Sequence, residues 1–224
     1  MHGITRSVAL LFIGITATAS MTGCAKKWQT GAVVGAGGGA VAGGVIGKVA
    51  GSTTKGAIIG AVVGGVAGGL IGRSMDKQAE ELRRNIKGAT VERVGEGIQV
   101  TFDSGLLFDV DSDDLRNEAR TNLTELARSF SAYKDSDIMI VGHTDNTGTD
   151  AYNQSLSQRR GTSAAAFLVN SGVSGARIRT LGLGETEPVG SNEDGSGRQT
   201  NRRIEVAIYA SKDAQEAARR TAAN

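Results

Sequence analysis

The chain has 224 residues, 25 Lys and Arg against 23 Asp and Glu, one Cys, and only five Phe, three Tyr and one Trp. A lone cysteine excludes an internal disulfide, and so few aromatics, with no basic run longer than two, argue against a nucleic-acid partner. The net charge of +2 hides an asymmetry: no acid precedes Asp76, residues 24–75 carry five bases, and residues 76–224 carry about −4. In chain order, residues 1–23 read as a signal segment, with Arg6 as its positive start and an apolar run from Val8 to Ala19 too short to span a bilayer.

Met21-Thr22-Gly23-Cys24 reads as a cleavage box that leaves Cys24 as the first mature residue. It resembles the bacterial lipoprotein box, with Met in the usual Leu place and Thr where Ala or Ser is normal. The resemblance implies thioether lipidation of Cys24 and a lipidated N-terminus over residues 24–30. An ordinary signal peptide followed by a stray Cys is the competing reading. Several acyl chains on one Cys anchor stably where a single chain would not. Ala25 replaces the Asp that marks inner-membrane retention in enterobacterial lipoproteins, which implies the outer membrane.

Residues 31–72 hold sixteen glycines, stepping by four through Gly31, Gly35, Gly39, Gly43, Gly47 and Gly51 and again through Gly56, Gly60, Gly64, Gly68 and Gly72. Ser52-Thr53-Thr54-Lys55 between them reads as a polar turn. A step of four bares one face of a helix, so two backbones can approach closely. Each Gly costs about 1 kcal/mol relative to Ala in a helix, so the pattern predicts a glycine-rich helical hairpin in or on a membrane rather than an isolated helix in water. The segment resembles the glycine-zipper region of bacterial envelope lipoproteins. A flexible linker and a dinucleotide loop are the alternatives, and the strict step and the lack of a preceding strand count against them.

Residues 73–90 read as a charged helical connector. Val91–Val94 and Ile98–Phe102 alternate around Gly95-Glu96-Gly97, a hairpin pattern. Leu115, Ala119, Leu123, Leu126 and Phe130 recur at helical spacing behind a cap at Ser112 or Asp113. Ile138–Val141 is a continuous apolar run, the mark of a strand covered on both faces. A helix over Ala151 to about Ser171, a strand over Ile178–Leu183, a loop from Gly184 to Thr200 and a strand over Arg203–Tyr209 follow. The tail, residues 211–224, reads as polar and frayed. The order β-β-α-β-α-β-β predicts an α+β sandwich, a mixed sheet packed by helices.

Gly142-His143-Thr144-Asp145 closes an apolar strand, Asn153-x-x-Leu156-Ser157-x-x-Arg160 lies in the next helix, and Asn201-Arg202-Arg203 precedes the last strand. A carboxylate and a guanidinium held close but unpaired suit a zwitterionic ligand. These three ordered motifs resemble the OmpA C-terminal-like peptidoglycan-binding family over residues 91–210, and the whole chain resembles the YiaD type of outer-membrane lipoprotein. The resemblance implies that Asp145 takes the ammonium and Arg160 a carboxylate of the diaminopimelate in the peptidoglycan stem peptide. Asn153, Thr147 and Asp111 are expected as hydrogen-bonding neighbours, and Arg202 or Arg203 as a second anion contact. His143 is expected to be structural, because no Ser or Cys nucleophile accompanies it; a zinc site lacks ligands, and glycosidase chemistry lacks opposed carboxyls. The leading expectation is a non-catalytic, cofactor-free module tethering outer membrane to wall. The alternative is a glycine-zipper homo-oligomer or pore that the wall domain merely positions.

Overall fold

The computed structural model describes residues 51–224. The readings made for residues 1–50, which include the signal segment, Cys24 and the first arm of the glycine ladder, lie outside the described residues.

Five strands form one mixed sheet: β1 (Ala89–Val94), β2 (Gly97–Asp103), β3 (Ser136–Gly142), β4 (Ile178–Gly182) and β5 (Arg203–Ala210). Their order is β1-β2-β5-β3-β4, antiparallel throughout except for the parallel pair β3 and β4. The register aligns Ile98, Ile208, Ile138 and Ile178 in one row across four strands. Because side chains alternate along a strand, that row and its neighbours Val100, Val206 and Ile140 share one face. Met139, Val141, Ala207 and Tyr209 occupy the other. The expected β-β-α-β-α-β-β order is present, and the α+β reading holds.

The first face is covered by α2 (Gly65–Asn85), α4 (Asn117–Ala132) and α5 (Asp150–Asn170), with the short α3 (Ser104–Leu107) leading from β2 toward α4. Ala67, Ile71, Met75, Ala79 and Leu82 place an apolar stripe of α2 in this core, and Gln78 donates from Nε2 to Ser129 Oγ of α4 at 3.1 Å. The segment expected as a connector is therefore a core helix. Its charges mark the solvent side of an amphipathic helix.

The second face is covered by α1 (Thr53–Gly60), through Ala57, Ile58 and, just beyond it, Ala61. Ser52-Thr53-Thr54-Lys55 is thus no turn. Ser52 caps α1, its Oγ accepting the Lys55 N–H at 3.2 Å. The second ladder arm is not one helix either. Gly64 and Gly65 have φ of +72° and +62°, which breaks the chain between α1 and α2. Two carboxylates fasten this arm to the sheet domain. Glu187 Oε2 accepts the Thr53 N–H at 3.0 Å and its Oε1 the Thr53 hydroxyl at 2.6 Å, and Glu96 accepts the N–H groups of Val63 and Gly64 at 2.7 and 2.8 Å. Both neutralise donors that a helix N-terminus leaves unsatisfied. Among the described residues no helix is long and apolar enough to cross a membrane.

The expected frayed tail is a helix, α7 (Lys212–Ala222), which follows β5. Ser211 caps it, and Gln215 donates from Nε2 to the Ala210 carbonyl at 2.8 Å. Ala218 joins the main core. A seven-residue helix, α6 (Gly195–Asn201), completes the fold inside the expected 184–200 loop.

Candidate functional site

The site is assembled where the carboxyl end of β3 meets the amino end of β5. Gly142 pairs with Ile204, and the His143 N–H donates to the Arg203 carbonyl at 2.9 Å. Helix α5 lies hard against this end: a Cβ on Gly142 would sit 2.3 Å from the Ser157 carbonyl oxygen, so only glycine lets helix and strand approach this closely. The loop from His143 to Thr149 then delivers Asp145 beside the start of α5, where Thr149 Oγ1 accepts the Tyr152 N–H at 3.2 Å as cap.

Asp145 is 5% exposed. Its Oδ1 accepts the Thr147 N–H at 2.9 Å, and its Oδ2 is ion-paired with Arg202 Nη1. Burial works to raise the carboxyl pKa, but the Thr147 N–H and the Arg202 guanidinium outweigh it and hold the group below the ordinary aspartate value. Asn153 Nδ2 bridges the Asp145 carbonyl at 3.2 Å and Glu185 Oε2 at 2.7 Å, fixing the loop from the helix side. Thr147 is exposed and contributes its backbone.

Arg160 is buried, with its guanidinium over the Phe108 ring at 5.3 Å. Its Nε donates to the Ser112 carbonyl at 2.9 Å and its Nη2 to the Asp109 carbonyl at 3.1 Å. Between these two carbonyls lies Asp111, exposed and at φ +56°, the one non-glycine residue with positive φ among the described residues. Arg160 thus holds a strained loop in place. Burial lowers its pKa from the ordinary arginine value, and the charges of Asp111 and Asp113 oppose that shift while Arg202 adds to it. Arg202 pairs directly with Asp145, which joins the first and third motifs, and the close approach of Gly142 to Ser157 joins the first to the helix that carries the second.

Two sequence expectations are corrected. Asp145 and Arg160 are not an unpaired couple, because Asp145 is satisfied by Arg202 and Arg160 by loop carbonyls. Arg203 does not face the site. It is 4% exposed, donates from Nε to Glu205 Oε1 at 2.7 Å and from Nη2 to the Glu187 carbonyl at 3.1 Å, and so belongs to the opposite face of the sheet. Arg202, the residue before β5, pairs with Asp145, whereas Arg203 opens the strand and turns into the Glu205 cluster. His143 is 1% exposed and its Nε2 is 3.9 Å from Glu205 Oε2, within that same buried cluster, in keeping with a structural role. Glu185 and the carbonyls of Asp109 and Ser112 had no signal in the sequence. Among the described residues no group of His, Cys, Asp and Glu could hold a metal ion.

Comparison with known proteins fits this arrangement. The OmpA family model matches residues 107–202, which carry all three motifs except Arg203, and a YMGG-like Gly-zipper model matches residues 4–76. The peptidoglycan-associated lipoprotein of Mesorhizobium japonicum is 35% identical over 125 residues, covering 56% of this chain and 74% of the relative. The chain belongs to the OmpA family. This OmpA-family chain is also 35% identical over 136 residues to the probable lipoprotein YiaD of Escherichia coli, covering 60% of the chain but only 62% of YiaD's own length. A solved structure of the cell wall anchor of the T6SS from Pseudomonas aeruginosa matches with a TM-score of 0.52 at 29% identity, covering 63% of this chain and 97% of that one.

Proposed function

We propose that this OmpA-family domain grips peptidoglycan noncovalently, through the diaminopimelate residue of the stem peptide, and thereby tethers the outer membrane to the wall. One observation carries the reading: a buried carboxylate, Asp145, kept ionised by the Thr147 N–H and the Arg202 guanidinium at a strand end, where α5 also presents its N-terminus. Asp145 takes the ligand ammonium. Arg160 supplies positive charge to a ligand carboxylate from beneath the loop that it holds, and Arg202 reaches the ligand from the solvent side. Asn153, Thr147 and Asp111 orient these groups.

The names of two relatives, a peptidoglycan-associated lipoprotein and a cell wall anchor, support the same ligand. Lipidation of Cys24, outer-membrane localisation and a purely binding, non-enzymatic role complete the proposal. The test is a pull-down on purified sacculi with wild type and Asp145→Asn. Loss of binding with the fold intact is expected, and undiminished binding by the variant overturns the assignment.

A glycine-zipper oligomer is the second reading. Ile59, Val62, Val66 and Leu70 are exposed along the α1–α2 segment, which favours an association surface there. Ala57, Ile58 and Ala61, packed on the sheet, count against a pore built from this arm. Cross-linking of the full chain separates the two, since a monomer removes the oligomer.

A further inference from the structure

We propose that Arg202 is an exchangeable counter-ion: it occupies Asp145 in the ligand-free domain, and a ligand ammonium displaces it, freeing its guanidinium for the carboxylate of the same ligand. The inference rests on the reading of Asp145 as the ammonium acceptor and adds what selects the ligand.

The two oxygens of Asp145 are held differently. Oδ1 is bonded to a backbone N–H, that of Thr147, which cannot leave without moving the loop. Oδ2 is bonded to the end of a long side chain that is 42% exposed, whereas the Asp145 side chain is 8% exposed. Only the second partner can change by side-chain rotation alone. The backbone of Arg202 is fixed meanwhile: its N–H donates to the Arg198 carbonyl at 3.1 Å and its own carbonyl accepts the Ser104 N–H at 2.9 Å. Arg203, buried against Glu205, pins the next residue. Exchange is therefore a swing of one side chain about a still backbone.

The charge pattern gives the swing a selective consequence. Asp145 is the ion-pair partner of Arg202, whereas Arg160 is held by the Ser112 and Asp109 carbonyls. A ligand that brings an ammonium alone takes that carboxylate and leaves Arg202 uncompensated. A ligand that brings ammonium and carboxylate together compensates it. Arg202 thus discriminates against simple amines, such as a lysine side chain, in favour of an amino-acid end carrying both charges, an element acting against the wrong ligand as well as for the right one.

The experiment compares meso-diaminopimelic acid with its dimethyl ester, which keeps both ammoniums and lacks both carboxylates, by calorimetry on the full chain. Arg202→Gln is expected to tighten the ester by roughly two- to fivefold, the range of a partly exposed ion pair, and to weaken the diacid. Ester affinity that is unchanged or lower overturns the exchange. Asp145→Asn should abolish binding of both probes. If it affects neither, or if wild type binds neither, the reading of Asp145 itself fails, and the exchange with it. A ligand-free readout stands beside these: the Asp145 carboxyl, followed by NMR, should titrate at higher pH in Arg202→Gln. An identical titration in both proteins overturns the pairing that the exchange requires.

Discussion

Arg202 and Arg203 are consecutive in the chain and hold different carboxylates, Arg202 pairing with Asp145 in the loop beyond β3 and Arg203 with Glu205 inside β5. The first pair is half open to solvent, the second sealed. Substitutions at the two arginines should therefore separate binding from stability. Breaking a buried pair by removing one partner costs about 3–5 kcal/mol, whereas an exposed pair contributes about 1 kcal/mol or less. Arg203→Ala should lower the urea midpoint strongly. Arg202→Ala should leave it nearly unchanged while altering ligand affinity. Equal midpoints for the two variants would contradict the burial described.

Arg160→Ala should weaken both properties. It removes the donor to the Ser112 carbonyl and one of the two donors to the Asp109 carbonyl, which keeps the Ser112 N–H, and releases the loop around Asp111. Loss of sacculus binding accompanied by a lower melting temperature is the expected outcome. Asp145→Asn should show the first effect without the second, as read by thermal unfolding beside the pull-down.

The pH dependence follows from Asp145. Its pKa lies below the ordinary aspartate value, about 3.9, in the folded chain. What the ionised carboxylate contributes is therefore complete above that value and is lost as pH falls through the lowered one. Sacculus binding should hold from pH 7 down to about 4 and fail below it. A midpoint near 6 would contradict control by Asp145.

The glycine-rich arm should be fastened chiefly by its caps and by Ile58. Ile58 is 1% exposed, and Ile58→Ala should cost about 2–5 kcal/mol if the gap does not collapse. Glu187→Ala removes the cap on Thr53, worth about 1 kcal/mol. Limited proteolysis should then cut between α1 and α2 faster in both variants than in wild type. Unaltered cutting would mean that α1 does not depend on the sheet.

Cys24→Ala tests the anchor. A soluble periplasmic form or stalled processing is expected on fractionation. Quantitative retention with membranes would mean that lipid on Cys24 is not needed for attachment.

The strands and the helices α4 and α5 were legible in the sequence because their burial is periodic. Ile138–Val141 is apolar throughout since both faces of β3 are covered, and Leu123, Leu126 and Phe130 fall on one helical face. Asp145 and Arg160 stood out through motif spacing. Their actual pairings did not. Arg202 reaches Asp145 across 57 positions, and Arg160 bonds main-chain carbonyls, which any residue type supplies. Helix α7 was missed because it buries only Gln215 and Ala218, too little apolar material to betray a packed face. The role of α2 is hidden in the sequence because its buried residues beyond Gly72, namely Met75, Gln78, Ala79 and Leu82, sit among charges that suggest a solvated rod.

The bonds from Glu187 to Thr53 have a mechanical consequence. Glu187 also accepts, through its carbonyl, from Arg203 at the amino end of β5, the end of the sheet that bears Asp145 and Arg202. In a chain tethered as proposed, tension from the membrane enters at Thr53 and leaves through the ligand at that same end. The pull then runs across a corner of the domain instead of along its strands, and α1 is the element set to peel first. That would lend the tether slack under strain while the sheet and the grip on the wall stay whole.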